Sequence, residues 1–239
     1  VTDSFLYEGA DLEAMDFADN YHRWMLGLFD PYLGDSVVEV GAGIGSFSRL
    51  LAERDGPERL LLIEPSAEMS STLAHNAGSL GVPAAAFTGF LHQAEELVSD
   101  FAPSTFVYVN VFEHVEHDVD EFQRVFAMLP SGGTLCVFVP ALPFLYSRFD
   151  RSIDHFRRYA KRELREKAAG AGFRVETIRY FDIAGVLPWL IKFRLLGSTT
   201  LGAGSVKTFD RLVVPLMSRL ENLIAPPVGK NLLMVARKP

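Results

Sequence analysis

Short, nearly continuous apolar runs alternate along this chain with stretches whose apolar residues recur every three or four positions. The runs "SVVEV" (36–40), "RLLLI" (59–63), "TFVYV" (105–109) and "TLCVFV" (134–139) have almost no polar face. That pattern suits parallel strands covered on both sides. Three more runs, "AAAFT" (84–88), "FRVETIRY" (173–180) and "NLLMVAR" (231–237), bring the set to seven. Between them lie helical segments such as "SFSRLLAER" and "DVDEFQRVFAML". In the latter, Phe122, Val125, Phe126 and Leu129 share one face, and "PSGG" stops the helix. Alternation of this kind predicts a doubly wound α/β sheet.

Two segments stand outside the alternation. Residues 1–34 read as a helical N-terminal segment carrying Tyr21, Trp24 and Phe29. Residues 181–228, apolar and punctuated by Pro and Gly, read as a helical cap inserted before the last strand, because a structureless loop of that length is improbable. The α/β domain then comprises 35–180 and 229–239.

Composition narrows the classes. With 239 residues, 49% of them hydrophobic, the chain can bury a sizeable core. A net charge of −7 leaves no general footprint for nucleic acid, which is bound by neutralising phosphates. The single cysteine, Cys136, excludes an internal disulfide and sits in an apolar run, where a buried structural thiol is expected. The N-terminal "VTDSFLYEGADLEAMD" lacks the order of a signal peptide, and "IAGVLPWLI" is too short to span a bilayer. A cytoplasmic protein with no membrane span is the expectation.

The candidate chemistry begins at "VVEVGAGIGSFS" (37–48), where Gly41, Gly43 and Gly45 follow the first strand. In a doubly wound sheet, ligands bind beyond the carboxyl ends of the strands, and glycines let the backbone approach them closely. The helix expected from Ser46 turns its free N–H groups toward the same place and favours an anion there. The dinucleotide fingerprint is G-x-G-x-x-G, whereas here the spacing is G-x-G-x-G. Glu64 ends the second strand, where a carboxylate reaches a ribose diol and repels a 2′-phosphate. The ligand expected is adenosine-like and is not NADP.

"VVEVGAGIGSFS", "LLIEPSAEM", "FVYVNVFEHVEHD" and "LPSGGTLCVFVPA", in that order, resemble the successive motifs of the class I S-adenosylmethionine-dependent methyltransferases over residues 35–180. The resemblance implies a seven-stranded sheet of order 3-2-1-4-5-7-6 with strand 7 antiparallel, and S-adenosylmethionine as cofactor. It assigns the cofactor to Glu39, Gly41, Ala42, Gly43 and Gly45, to Glu64, Pro65 and Met69, and to Gln93 and Asn110. Within that set Glu64 holds the ribose, Met69 covers the adenine and Gln93 reads the adenine amino group.

Methyl transfer leaves the protein to align the acceptor, exclude water and remove a proton. The candidates fall in "NVFEHVEH", with Glu113 and His114, and in "DRSIDHFRRYAKREL", with His155, Arg157, Arg158 and Tyr159. His155 and His114 are the expected proton acceptors and Tyr159 a weaker one, since a phenol titrates near 10. Tyr21, Trp24, Glu113, Arg157, Arg158 and Trp189 are the expected substrate contacts, with an arginine pairing Glu113 or an anionic group of the substrate. The first cluster also resembles the metal-gathering pattern of ubiquinone-pathway O-methyltransferases. Asn110 stands where that pattern has its first acid, and no other carboxylate–histidine cluster is evident, so metal-independent activity is expected.

The cap supplies apolar surface from Leu187, Leu190, Phe193, Leu216 and Leu220 among others, suited to core packing, a substrate lid, a homodimer face or a shallow lipid contact. The reaction expected is O- or N-methylation of a small molecule, in natural-product or glycan- and lipid-intermediate biosynthesis. The alternatives are peptide or protein N-methylation, and a non-catalytic cofactor-binding partner subunit.

Overall fold

All seven apolar runs are strands in the computed structural model, which describes residues 18–239; residues 1–17, half of the expected N-terminal segment, lie outside the described residues. The strands are β1 (Ser36–Val40), β2 (Arg59–Glu64), β3 (Ala84–Thr88), β4 (Thr105–Val109), β5 (Thr134–Pro140), β6 (Arg174–Phe181) and β7 (Asn231–Arg237). They form one sheet in the order β3-β2-β1-β4-β5-β7-β6. The first five pair in parallel, and β7 runs antiparallel between β5 and β6.

Alternation along the strands divides the core in two. Val38, Leu61, Phe106 and Val137 face one layer, while Val37, Leu62, Val107 and Cys136 face the other. The first layer is covered by Val98 of α4 (Glu95–Phe101), Phe122 and Val125 of α5 (Asp118–Met128), and Leu164 of α7 (Lys161–Gly170). The second is covered by Met25 and Phe29 of α1 (Asp19–Phe29), Leu50 of α2 (Ser46–Ala52) and Leu73 of α3 (Ala67–Ala77). Cys136 is buried and burial pushes its thiol well up, so it is inert packing.

The segment between β6 and β7 is helical. It contains α8 (Val186–Trp189), a π-helical stretch (Leu190–Leu195), α9 (Ala203–Leu212) and α10 (Val214–Leu223). Among the described residues no helix is long and apolar enough to cross a membrane. Two buried acids fasten this cap to the body. Glu221 accepts from the amides of Asp182 (3.0 Å) and Ile183 (2.9 Å) at the end of β6. Asp210 accepts from the amides of Tyr21 (2.8 Å) and Asn20 (3.2 Å), serving as the cap of α1 from a distant part of the chain. The helix needs this, because Ala18 at its own N-cap position has no side-chain acceptor.

Asp210→Ala should therefore lower stability by about 1–2 kcal/mol, the usual cost of losing an N-cap acceptor. Urea unfolding of both proteins measures it, and an unchanged midpoint would show that water satisfies the amides of α1 equally well.

Candidate active site

Beyond β1 the chain turns to α2 on one face of the sheet, and beyond β4 it turns to α5 on the other. β1 and β4 are neighbours, so their loops diverge and leave a cleft at the strand ends. The cleft has a volume of about 630 Å³, within the range of small-molecule sites.

One wall is the glycine loop. Gly41 has φ +73°, and a Cβ there would stand 2.4 Å from a methyl carbon of Val111, so only glycine fits. Gly43, at φ +57°, has no atom within 4 Å of where its Cβ would be; the loop turns its bare backbone to the open cleft, a cradle for a ligand. The Gly43 amide donates to Glu64 Oε2 (2.8 Å), and the Ser66 amide donates to Oε1 of the same carboxylate (2.8 Å). Glu64 thus ties two βα turns together. Each of its oxygens retains a lone pair for a diol. Burial raises the pKa of Glu64 against the pull of these two amides.

Glu39, at the floor, accepts from Ser48 Oγ (2.5 Å), and burial pushes it up to about 8. Met69, Pro65, Ala42 and Asn110 also line the cleft. Asn110 has φ +54°, a left-handed conformation that asparagine tolerates, and its amide donates to Phe138 O (2.8 Å). Other lining residues were not singled out by the sequence: His22, Phe90 and Lys230. Burial pushes the His22 imidazole down to about 4. Lys230 pairs with Asp182 (3.0 Å) and lies over the rings of Tyr21 and Trp189.

The other wall joins the two histidine segments. Glu113 and His114 lie on a single turn, Phe112–His114, after β4. His155 comes from the segment after β5, just beyond the short helix α6 (Arg148–Ser152), and its ring meets that of His114 edge-on at 4.5 Å. His155 Nδ1 lies 3.3 Å from Asp150 Oδ1, and its Nε2 faces Glu113 Oε1 at 3.8 Å. Asp150 is fixed by Ser147, whose amide (2.8 Å) and hydroxyl (2.7 Å) donate to it, and by Arg158 Nε (2.7 Å). Burial alone would raise Asp150, yet His155, Arg158 and Ser147 together hold it below the ordinary carboxylate range. An ionised Asp150 keeps the proton of neutral His155 on Nδ1 and leaves Nε2 basic. Burial lowers the pKa of His155 and pushes that of His114 down to about 3, so both rings are neutral at pH 7.

Glu113 is fully buried, no other residue hydrogen-bonds its oxygens, and burial pushes it up to about 8. The indole N–H of Trp189 is likewise buried without a partner, and Trp189 lines the same cleft. The ligand atoms of Glu113, His114 and His155 lie within 4.8 Å of one another, so they are also close enough to hold a cation. His155, arriving from another loop, thus joins the Glu113–His114 cluster that the sequence offered.

Five further expectations change. Tyr159 is buried outside the cleft and donates to Asp118 (2.7 Å), with its pKa raised by burial; it is a core residue and no base. Arg157 is turned away to Asp118 (3.1 Å). Trp24 packs on Phe181 with the rings tilted and their centroids 3.8 Å apart, and donates to Asn222, outside the cleft. Gln93 closes its own loop by accepting from the Phe90 amide (2.8 Å) and does not line the cleft. Gly45 sits behind the cleft at the N-cap of α2 with φ +90°. Tyr21, Glu113, Arg158 and Trp189 do reach the cleft. Arg158 packs over the Trp189 ring at 4.4 Å. Asp150 was missed, although "SRFD" (147–150) carries the capping-box spacing that locates it.

A family model described as a methyltransferase domain matches residues 14–178. No curated protein matches the sequence. Among solved structures, the fold is similar to an S-adenosylmethionine-dependent methyltransferase from Archaeoglobus fulgidus, at 16% identity over 95% of this chain and 99% of that one, with a TM-score of 0.62. It is similar to a chain of the complex between the Haloferax volcanii Trm112 methyltransferase activator and a methyltransferase, at 19% identity over 99% and 97% of the chains, TM-score 0.64. A third is the geranyl diphosphate C-methyltransferase of Streptomyces coelicolor A3(2), at 16% identity over 92% and 79%, TM-score 0.59. At such identities the likeness concerns the fold.

The raised pKa of Glu113 has a measurable sign. Its folded value, about 8, lies above the ordinary 4.5, so folding favours the protonated acid; that contribution is complete below pH 4.5 and is lost as pH rises toward 8. Glu113→Gln should match wild type near pH 4.5 and exceed its stability at pH 8.5 by roughly 1–4 kcal/mol. Urea unfolding at the two pH values tests this, and a difference independent of pH would refute the assignment.

Proposed function

This chain belongs to the methyltransferase-domain family, whose model spans most of it, and we infer that it carries a methyl group from S-adenosylmethionine to an oxygen or nitrogen of a small molecule. When bound, the cofactor supplies a methyl already activated on a sulfonium. The chain's own residues have three tasks: to hold the two molecules, exclude water and move a proton.

For the cofactor, the open backbone at Gly43, the second lone pairs of Glu64 and the Met69 side chain support binding along the glycine-loop wall. Glu39, buried nearby, is placed for an ammonium, whose charge would favour its ionised form. For the acceptor, Trp189 Nε1 is a buried donor with no partner, and Glu113 offers oxygens with none from other residues. A polar substrate group satisfies both.

The observation that carries the reading is the line Asp150–His155–Glu113. Asp150 orients the ring, so the neutral Nε2 accepts a proton from a hydroxyl or ammonium. Neutrality at pH 7 matters here, because a protonated imidazole has nothing to accept with. The step needs no metal in this reading. The Arg158 guanidinium already acts on Glu113 as a neighbouring positive charge, and Asn110 gives no charged ligand.

Glu64→Ala should weaken S-adenosylmethionine binding by about 1–3 kcal/mol, from the lost charge-assisted bonds and the loosened Gly43 loop. Calorimetry reads this directly. Tight NAD binding with no response to S-adenosylhomocysteine would refute the cofactor assignment.

In single turnover with saturating cofactor, His155→Ala should be slower by about 10²–10⁴-fold, and His114→Ala by less, with cofactor affinity little changed. The wild-type rate should fall only below the ordinary histidine range, because burial lowers the pKa of His155. That acid limb should vanish in His155→Ala. Activity should survive exhaustive chelation; its loss, with recovery on adding zinc or magnesium, would hand the Glu113–His114–His155 cluster to a metal.

A further inference from the structure

The outer side of the cap is built unlike the rest of the surface. On α10, Leu216, Leu220 and Leu223 are 60%, 51% and 82% exposed. Along α8 and the π-helical stretch, Leu187, Ile191 and Leu195 are 62%, 44% and 69% exposed. Spacings of three and four residues gather each trio on one side of its helix. These are not core residues in waiting. The inward side of the same stretch is already packed, with Trp189 and Phe193 against Phe149.

Charge is sorted across the cap in the same sense. Between residues 186 and 228 the basic residues are Lys192, Arg194, Lys207, Arg211 and Arg219, and the acids are Asp210 and Glu221. Both acids are buried and spend their oxygens on backbone amides of the body. Outward, the cap exposes leucines together with Arg194, Lys207, Arg211 and Arg219, on a chain whose net charge is −7.

We propose that the cap docks on an anionic lipid bilayer, its leucines entering the acyl boundary while its lysines and arginines meet the lipid phosphates. Helices that lie in the membrane interface have this composition: an apolar side, a basic flank and too little length to span. An anionic headgroup layer attracts each basic residue near it. A second copy of the chain is a poorer occupant. A two-fold interface sets the patch against itself, opposing like charges with no exposed acid in the segment to pair them.

The test is co-sedimentation of the full chain with phosphatidylcholine vesicles, with and without phosphatidylglycerol. Binding should be stronger by about tenfold or more on the anionic vesicles and should weaken with added salt. Leu216→Ser with Leu220→Ser should reduce it by about tenfold or more, and so should Arg211→Glu with Arg219→Glu. Thermal unfolding should be near wild type in both pairs, because all four positions are exposed. Equal binding to the two vesicle types, or wild-type binding by both double variants, overturns the proposal. So does a dimer in solution that the leucine substitutions dissolve while no vesicle is bound, which makes the face a self-interface. The readout uses neither cofactor nor acceptor, so it fails or succeeds separately from methyl transfer.

Discussion

Just past the carboxyl ends of β1, β3, β4 and β5 a backbone amide remains to be satisfied, and each finds its acceptor on a neighbouring element. Gly41 donates to Ile63 O (2.8 Å), Gly89 to Glu64 O (3.0 Å), Asn110 to Phe138 O (2.8 Å) and Ala141 to Lys230 O (2.8 Å). These bonds pin the loops in a row along the sheet edge, where Gly41, Gly89 and Asn110 have positive φ. The loops are therefore rigid extensions of the sheet, and the cleft between them has a shape set by strand register. Residues that carry chemistry are positioned by the same ladder that holds the core.

Into this frame the chain places three buried acids, and their partners give each a different character. Glu64 takes two backbone amides, which favour its charge, and becomes a fixed anchor between two turns. Glu39 has a hydroxyl from Ser48 and is pushed up to about 8. Glu113 has only its own backbone amide and the nearby charge of Arg158 to set against burial. A carboxylate so poorly compensated is costly to the fold, and such sites persist where a ligand completes them. The adjacent Asp150 shows the opposite arrangement: His155, Arg158 and Ser147 hold it ionised, and its charge sets the tautomer of His155.

The cap extends the same economy outward. Its two acids are turned into the body as acceptors for amides of α1 and the end of β6, while Val214, Phe209 and Met217 join the core. Trp189, from the inner side, becomes a wall of the cleft. What is left on the outside is apolar and basic, and that residue set is unusual for an acidic chain.

Much of the architecture was legible in one dimension, because periodicity reports burial directly. The runs at 36–40, 84–88, 105–109 and 231–237 are strands to the residue, and the motif order carried the sheet order. The glycine loop and Glu64 were legible for a related reason: a turn of that shape admits only certain residues at fixed spacing. What spacing does not carry is the direction of a side chain or the meeting of distant loops. Gln93 and Arg157 have the right chemistry in the right segments, yet Phe90 and Asp118 claim them. Tyr159 and Trp24 look equally reactive on paper and are packing residues. Conversely, the pairing of His155 with Asp150 and Glu113 spans loops after two different strands. Only the parallel pairing of β4 with β5 sets those loops side by side. The sequence determined which segments bury and which turn; the tertiary structure decided which polar groups have partners, because hydrogen bonds reach about 3 Å and distance along a chain says nothing about distance across a sheet.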